Sequence, residues 1–156
     1  MKLFLLRHGK AKEGIDNQKD FDRGLAEKGF KQSKKIGKYL KNSGISYAIV
    51  SSAKRTMETF DSVNKYLNIE EVYESKDLYL ASSETINNVI NTHVTEKDVM
   101  VVGHNYGISD LVDFYTGIDI TLSTGMVAII EFDVQSSAHF SRYAGRLIEV
   151  ITPKTL

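Results

Sequence analysis

The sequence predicts an α/β protein of three layers, with a mostly parallel central sheet sandwiched between helices. Short apolar runs bounded by Gly, Ser or a charge recur at Lys2–Leu6, Ser46–Val50 and Asp98–Gly103, and read as buried strands because both of their faces are hydrophobic. Segments with apolar residues at helical spacing lie between them. Strand and helix alternate along the chain, the order expected of parallel strands joined by crossover helices.

In chain order, the first strand breaks off at Arg7-His8-Gly9 and is followed by a polar stretch, residues 10 to 24, long enough to be functional. A helix is expected from Leu25 to Asn42, with a buried stripe of Ala26, Gly29, Phe30, Ser33, Ile36, Gly37 and Leu40 and a lysine face of Lys31, Lys34, Lys35, Lys38 and Lys41. Gly24 and Gly29 have the spacing of a phosphate-binding P-loop, but Phe30 replaces the required Lys and no strand leads in, which excludes that motif. After the second strand, Ser51-Ser52 are expected to cap a helix that carries Lys54-Arg55 in its first turn and buries Met57, Phe60, Val63 and Leu67. Glu71 to Glu74 reads as a short strand, and Ser82 or Ser83 as the cap of a helix with Ile86, Val89, Ile90 and His93 on one stripe. The Asp98–Gly103 strand leads into His104-Asn105 and a helix with Ile108, Leu111, Val112 and Tyr115. Met126 to Asp133 and Arg142 to Ile151 then alternate like an antiparallel hairpin, which would make the sheet mixed.

A chain of 156 residues fits one domain, here taken as 1–156. Twenty basic residues balance twenty acidic ones, so no global field points to nucleic acid or to a membrane. The absence of Cys excludes disulfides, thiolate nucleophiles and Cys-based metal sites. The N-terminal apolar run is too short for a signal peptide, and a cytoplasmic protein is expected. The four His include no closely spaced pair, so neither a metal nor another cofactor is expected. His93 is expected on an apolar stripe and His139 in an exposed turn.

The chemistry converges on strand ends. Leu6-Arg7-His8-Gly9 ends one buried strand and Val102-Gly103-His104-Asn105 ends another. Ligands in open α/β sheets bind outside the carboxyl ends of strands, so both imidazoles would share one edge if the strands are parallel neighbours. Arg55 follows the second strand, and Arg23 lies in the loop that leaves His8. Two His and three Arg at one edge, aided by helix N-termini, form a site for a phosphoryl group, because guanidinium forks match phosphate oxygens. A neutral His in the right tautomer is a competent nucleophile at phosphorus.

These residues resemble a known family. Leu6-Arg7-His8-Gly9 resembles the signature of the histidine phosphatase superfamily, whose larger members include phosphoglycerate mutases and acid phosphatases. Arg23-Gly24-Leu25-Ala26-Glu27-Lys28-Gly29 is similar to its Arg-x-Leu-x-x-x-Gly segment, and Ser51 to Thr59 to its Ser-x-x-x-Arg-x-x-x-Thr segment. Val102-Gly103-His104-Asn105 is similar to its second-His segment. The small size and lack of a long insertion make the chain most like the SixA-type phosphohistidine phosphatases. The resemblance implies a phosphoglycerate mutase-like fold and a hydrolase that works through phosphohistidine on His8 without a metal. It also implies that Arg7, Arg23, Arg55 and His104 bind and stabilise the phosphoryl group, and Asn105, next to His104, is expected to bind substrate with them. Larger members add a carboxylic acid that protonates the leaving oxygen, for which Asp77 and Glu84 flank the right connection. Without such an acid, a phosphohistidine substrate, which leaves as imidazole, is favoured over poor oxygen leaving groups. The expected partner is a phosphorylated protein or a small phosphorylated metabolite, with no nucleic acid and no membrane. A small-molecule phosphomonoesterase or mutase-like enzyme, and a non-catalytic phosphate-binding or phosphoprotein-binding module, are the alternatives.

Overall fold

In a computed structural model that describes residues 1–156, the elements are β1 (Lys2–Arg7), α1 (Glu27–Leu40), β2 (Tyr47–Ser51), α2 (Lys54–Leu67), β3 (Glu71–Ser75), α3 (Ser83–Thr92), β4 (Val99–Gly103), α4 (Gly107–Thr116), β5 (Val127–Phe132) and β6 (Gly145–Ile151). The strands form one six-stranded sheet in the order β3-β2-β4-β1-β5-β6. β1, β2, β3 and β4 pair in parallel, while β5 runs antiparallel to β1 and to β6. The terminal hairpin thus makes the sheet mixed, as its alternating pattern predicts.

Side chains on a strand alternate between faces, so a strand covered on both sides must be apolar throughout. β1 shows how this works. Leu3 and Leu5 enter a core with Ile86 and Ile90 of α3 and Ile108 and Leu111 of α4. Phe4 and Leu6 enter a second core with Ile36 and Leu40 of α1 and Phe60 and Val63 of α2. Val99 and Val101 of β4 belong to the first core, Met100 and Val102 to the second. Two helical layers therefore sandwich the sheet, with α1 and α2 on one side and α3 and α4 on the other.

Three local expectations are corrected. Helix α1 starts at Glu27, because Leu25 is held in a bridge to Ala11 and its N–H donates to the Glu58 carboxylate at 2.9 Å. Phe30 lies outside the buried stripe, 40% exposed. Helix α2 has Ala53 at its N-cap with no side-chain cap, and Ser51 is the last residue of β2. Ser82, by contrast, caps α3 by accepting the Thr85 N–H. His93 ends α3 and stacks on Tyr73 at 3.7 Å between ring centroids, and His139 is exposed.

Gly29 brings α1 against the segment that leaves β1. A Cβ there would lie 2.2 Å from the Lys10 carbonyl oxygen, and one on Gly9 would lie 2.7 Å from the Gly29 carbonyl oxygen. Only backbone without side chains fits at this contact.

Candidate active site

The order β2-β4-β1 places three parallel carboxyl ends side by side. Arg7 stands opposite Gly103 in register, and the His8 N–H donates to the Gly103 carbonyl at 3.2 Å. The rings of His8 and His104 lie 5.3 Å apart, both buried. A second anchor comes from α2, where the Thr59 hydroxyl accepts the Gly9 N–H at 3.0 Å.

His8 has a defined tautomer. Its Nδ1 lies 2.7 Å from the Gly9 carbonyl oxygen, which can only accept, so Nδ1 carries the proton. The lone pair is left on Nε2, which accepts the Arg55 Nε–H at 3.3 Å. Burial lowers the His8 pKa to about 4, opposed by the Gly9 hydrogen bond and assisted by the charges of Arg55, Arg7 and Arg23. The ring is therefore neutral and basic at Nε2 near pH 7.

His104 is also kept neutral. Burial, then the neighbouring His8 and Arg55, lower its pKa to about 3. Its Nε2 lies 2.8 Å from the Ser51 Oγ, while its Nδ1 is buried with no partner. Arg7 donates through Nη1 to the Leu122 carbonyl at 2.9 Å, and its buried Nε has no partner either. Unpaired buried polar atoms are rare in folded proteins, and these two lie in a cluster of cations. An anion with several acceptor oxygens is the complement of such a cluster.

The chain's own Asp20 takes part of that role. Its Oδ1 accepts the Arg23 Nε–H at 2.9 Å. Its Oδ2 accepts from Arg55 Nη2 at 3.0 Å and from the Tyr79 hydroxyl, and its carbonyl accepts Arg55 Nη1 at 2.8 Å. The Tyr79 hydroxyl, followed by the Arg55 and Arg23 guanidiniums, holds the Asp20 carboxyl well below the usual carboxylate range. Tyr79 also presents its ring edge to His104 at 5.4 Å and packs against Phe21 at 5.1 Å. The segment after β1 and the turn after β3 thus meet over the two imidazoles.

Residues 3–79 match the family model described as histidine phosphatase superfamily (branch 1), a span that holds Arg7, His8, Arg23 and Arg55. The chain belongs to the histidine phosphatase superfamily. The fold agrees over nearly the whole length with solved structures of the superfamily. A candidate phosphohistidine phosphatase SixA from Agrobacterium tumefaciens superposes with a TM-score of 0.84 at 26% identity, covering 97% of each chain. The protein histidine phosphatase SixA in complex with tungstate gives 0.84 at 21% identity, covering 99% of each. A candidate α-ribazole-5′-phosphate phosphatase from Escherichia coli shares the fold at a TM-score of 0.75 and 14% identity, covering 98% of each. Among curated proteins, none matches the chain.

Within this histidine phosphatase fold, Arg7, His8, Arg23, Arg55 and His104 come together. Three other expected residues do not join them. Asn105 uses its amide for scaffolding: Nδ2 donates to the Leu122 carbonyl at 2.8 Å and Oδ1 accepts the Ser109 hydroxyl at 2.5 Å. Because Arg7 donates to the same carbonyl, Asn105 fixes the site indirectly. Asp77 and Glu84 are exposed, and neither side chain is hydrogen bonded or ion paired to the cluster. Asp77 sits in the 3-10 turn Lys76–Leu78, which buries Leu78 and is followed by Tyr79 at the imidazoles. Asp20, Ser51, Thr59 and Tyr79 are site residues to which the sequence assigns no part in the chemistry. For Thr59 the available signal is its spacing from Arg55, since residues four apart on α2 share a helix face.

Proposed function

We propose that residues 1–156 act as one phosphatase domain that hydrolyses a phosphoryl group through a phosphohistidine on His8, with a protein phosphohistidine as substrate. The observation that carries this reading is the His8 tautomer: a buried, neutral ring whose free Nε2 lies 3.3 Å from the Arg55 guanidinium. In the first step the Nε2 lone pair forms a bond to phosphorus. The bond from phosphorus to the leaving atom breaks, its electron pair staying with that atom, which takes up a proton. In the second step water attacks phosphorus, the N–P bond breaks and its electron pair returns to Nε2, releasing inorganic phosphate.

Phosphoryl transfer spreads negative charge over the equatorial oxygens, so positioned cations supply most of the catalysis. Arg55, Arg7 and Arg23 take those oxygens, and the unpaired Nδ1 of His104 adds a neutral donor. Asp20 gives up its arginines to the incoming phosphoryl group. All of these groups belong to the chain, and the scheme runs without a metal. A phosphohistidine leaves as imidazole, which needs less protonation than an alkoxide, and this suits a cluster that Asp77 and Glu84 do not join. The likeness to SixA structures, one of them holding tungstate, supports the same substrate class. No helix is long and apolar enough to cross a membrane.

The test is to incubate the chain with phosphoramidate or a phosphohistidine peptide and look for acid-labile, alkali-stable phosphate on His8. The label is expected in the wild type and absent in His8→Ala. Phosphate binding without label or turnover of any donor would instead establish a binding module. Turnover of sugar phosphates but not of phosphohistidine would assign a small-molecule phosphatase.

A further inference from the structure

Charge in this neutral chain is sorted by position. Residues 1–65 hold fifteen Lys and Arg against seven Asp and Glu, a net of +8; residues 66–156 hold five against thirteen, a net of −8. Folding turns this division into two unlike faces. α1 carries five Lys and one Glu on one side of the sheet, while α3 and α4 on the other carry Glu84, Asp110 and Asp113 and no base. The field is strongest where basic side chains share a concave surface.

Such a surface exists beside the catalytic cluster. A groove of about 530 Å³ runs between α1, the turn before β5 and the C-terminal segment after β6. Lys28, Lys31, Lys35 and Lys154 line it, and its lining contains no acidic and no aromatic residue. The ion pair of Lys31 with Glu27, at 3.1 Å, is exposed and holds that lysine only weakly. The groove is tied to the nucleophile's own loop. Gln32 in its wall accepts the Lys10 N–H at 2.8 Å and donates to the Thr124 hydroxyl at 3.3 Å, and the next residue, Gly125, donates its N–H to the His8 carbonyl at 3.0 Å.

We infer that this groove is the docking surface for an acidic protein domain that carries the phosphohistidine, so that carboxylates flanking the phosphorylated residue meet Lys28, Lys31, Lys35 and Lys154 while the phosphoryl group reaches His8. The inference rests on the proposed phosphoprotein reading and specifies the substrate's surface. Four ammonium groups around one groove repel each other, and a partner's carboxylates relieve that repulsion. A small phosphorylated metabolite would leave the groove unused. Single-stranded nucleic acid is bound by aromatic platforms as well as by charge, and the lining has none. Such complementarity acts mainly on encounter rate and partner choice, and weakens with salt.

The test uses two synthetic phosphohistidine peptides, one flanked by Glu and Asp and the other by Gln and Asn, with phosphoramidate as a donor too small to reach the groove. At low salt the wild type is expected to favour the acidic peptide in kcat/KM by about tenfold, the scale of electrostatic steering. In a Lys28→Gln/Lys31→Gln/Lys35→Gln variant the preference disappears, while phosphoramidate hydrolysis stays at the wild-type rate. Physiological salt reduces the wild-type preference. Equal use of both peptides by the wild type, or a preference that survives in the variant, overturns the inference. Fluorescence anisotropy of the unphosphorylated acidic peptide gives an answer independent of turnover. Binding that is lost in the variant supports the groove, even if phosphohistidine proves not to be the substrate. Absent binding, or equal competition by single-stranded RNA of matched charge, overturns it.

Discussion

Ser51 is the residue whose replacement tests the site's electrostatics most directly. Its Oγ accepts the Ala53 N–H at 3.4 Å and lies 2.8 Å from His104 Nε2. We assign the Ser51 hydroxyl as the donor and the buried Nε2 beside it as the acceptor. That assignment places the ring proton of His104 on Nδ1, the atom with no protein partner, and makes Nδ1 a donor to a phosphoryl oxygen. Ser51→Ala removes the bond inside the fold, since Ser51 is fully buried and His104 is 2% exposed. Leaving Nε2 unpaired costs about 1–3 kcal/mol of stability. Removing a donor aimed at developing charge lowers kcat by about 10²–10³ elsewhere. Here the ring and three arginines remain, so a fall in kcat of about ten- to a hundredfold is expected, with KM changed much less. The assay is steady-state hydrolysis of phosphoramidate well below the variant's melting temperature, with nitrogen NMR of the His104 ring. A Ser51→Ala protein that melts lower yet keeps kcat within about twofold, well short of a lost donor, would refute this role. So would a wild-type ring with its proton on Nε2.

Asp20→Asn removes the carboxylate that competes for Arg55 and Arg23. Because Asp20 is about half exposed, the gain is about 0.5–1 kcal/mol, a two- to fivefold lower inhibition constant for inorganic phosphate or tungstate; weaker inhibition would contradict the competition. The pH dependence follows from the two imidazoles. His8 and His104 titrate at about 4 and about 3 in the folded chain, below the ordinary value of 6.5, so the unfolded chain takes up protons first as pH falls. Their contribution to stability is complete above about 6.5 and is lost as pH drops from there through 4 to 3, to be followed by urea midpoints against pH. Turnover of the free enzyme should hold down to about pH 5, and an acid limb centred at 6.5 would contradict a buried neutral His8. Gly29→Ala forces a Cβ to within 2.2 Å of the Lys10 carbonyl and should cost about 1–3 kcal/mol as overpacking does. It should also lower kcat, because Lys10 belongs to the loop that carries His8; an unchanged melting temperature would show that the contact relaxes freely.

What could be read from the sequence and what could not differ for a physical reason. The strands that frame the site are apolar on both faces, so β1, β2 and β4 are visible as runs, and the charges at their ends stand out against them. His8 and His104 each stand two residues past the end of an apolar run, which leads to the same sheet edge once β1 and β4 are neighbours. The missed or misplaced residues act through partners distant in sequence. Ser51 resembles a helix cap because Ser commonly precedes a helix, and only the pairing of β2 with β4 brings its hydroxyl to an imidazole 53 residues away. Asn105 looks like a ligand for substrate because it follows His104, but its amide is taken by Leu122 and Ser109. Asp20 is one acid among several in a polar segment, and nothing local marks it as the anion that Arg23, Arg55 and Tyr79 share. The same logic relocates the leaving-group question. Asp77 and Glu84 have the right place in the chain, yet the turn that buries Leu78 brings Tyr79 to the imidazoles. Tyr79 and Asp20, joined by a hydrogen bond, are the protic pair the fold sets beside His104. Once a phosphoryl group takes the guanidiniums from Asp20, the charges that depress its pKa are shared with a stronger anion, and its affinity for a proton rises. A dependence of kcat on leaving-group basicity that steepens in Asp20→Asn, and not in Asp77→Asn or Glu84→Gln, is the expected consequence.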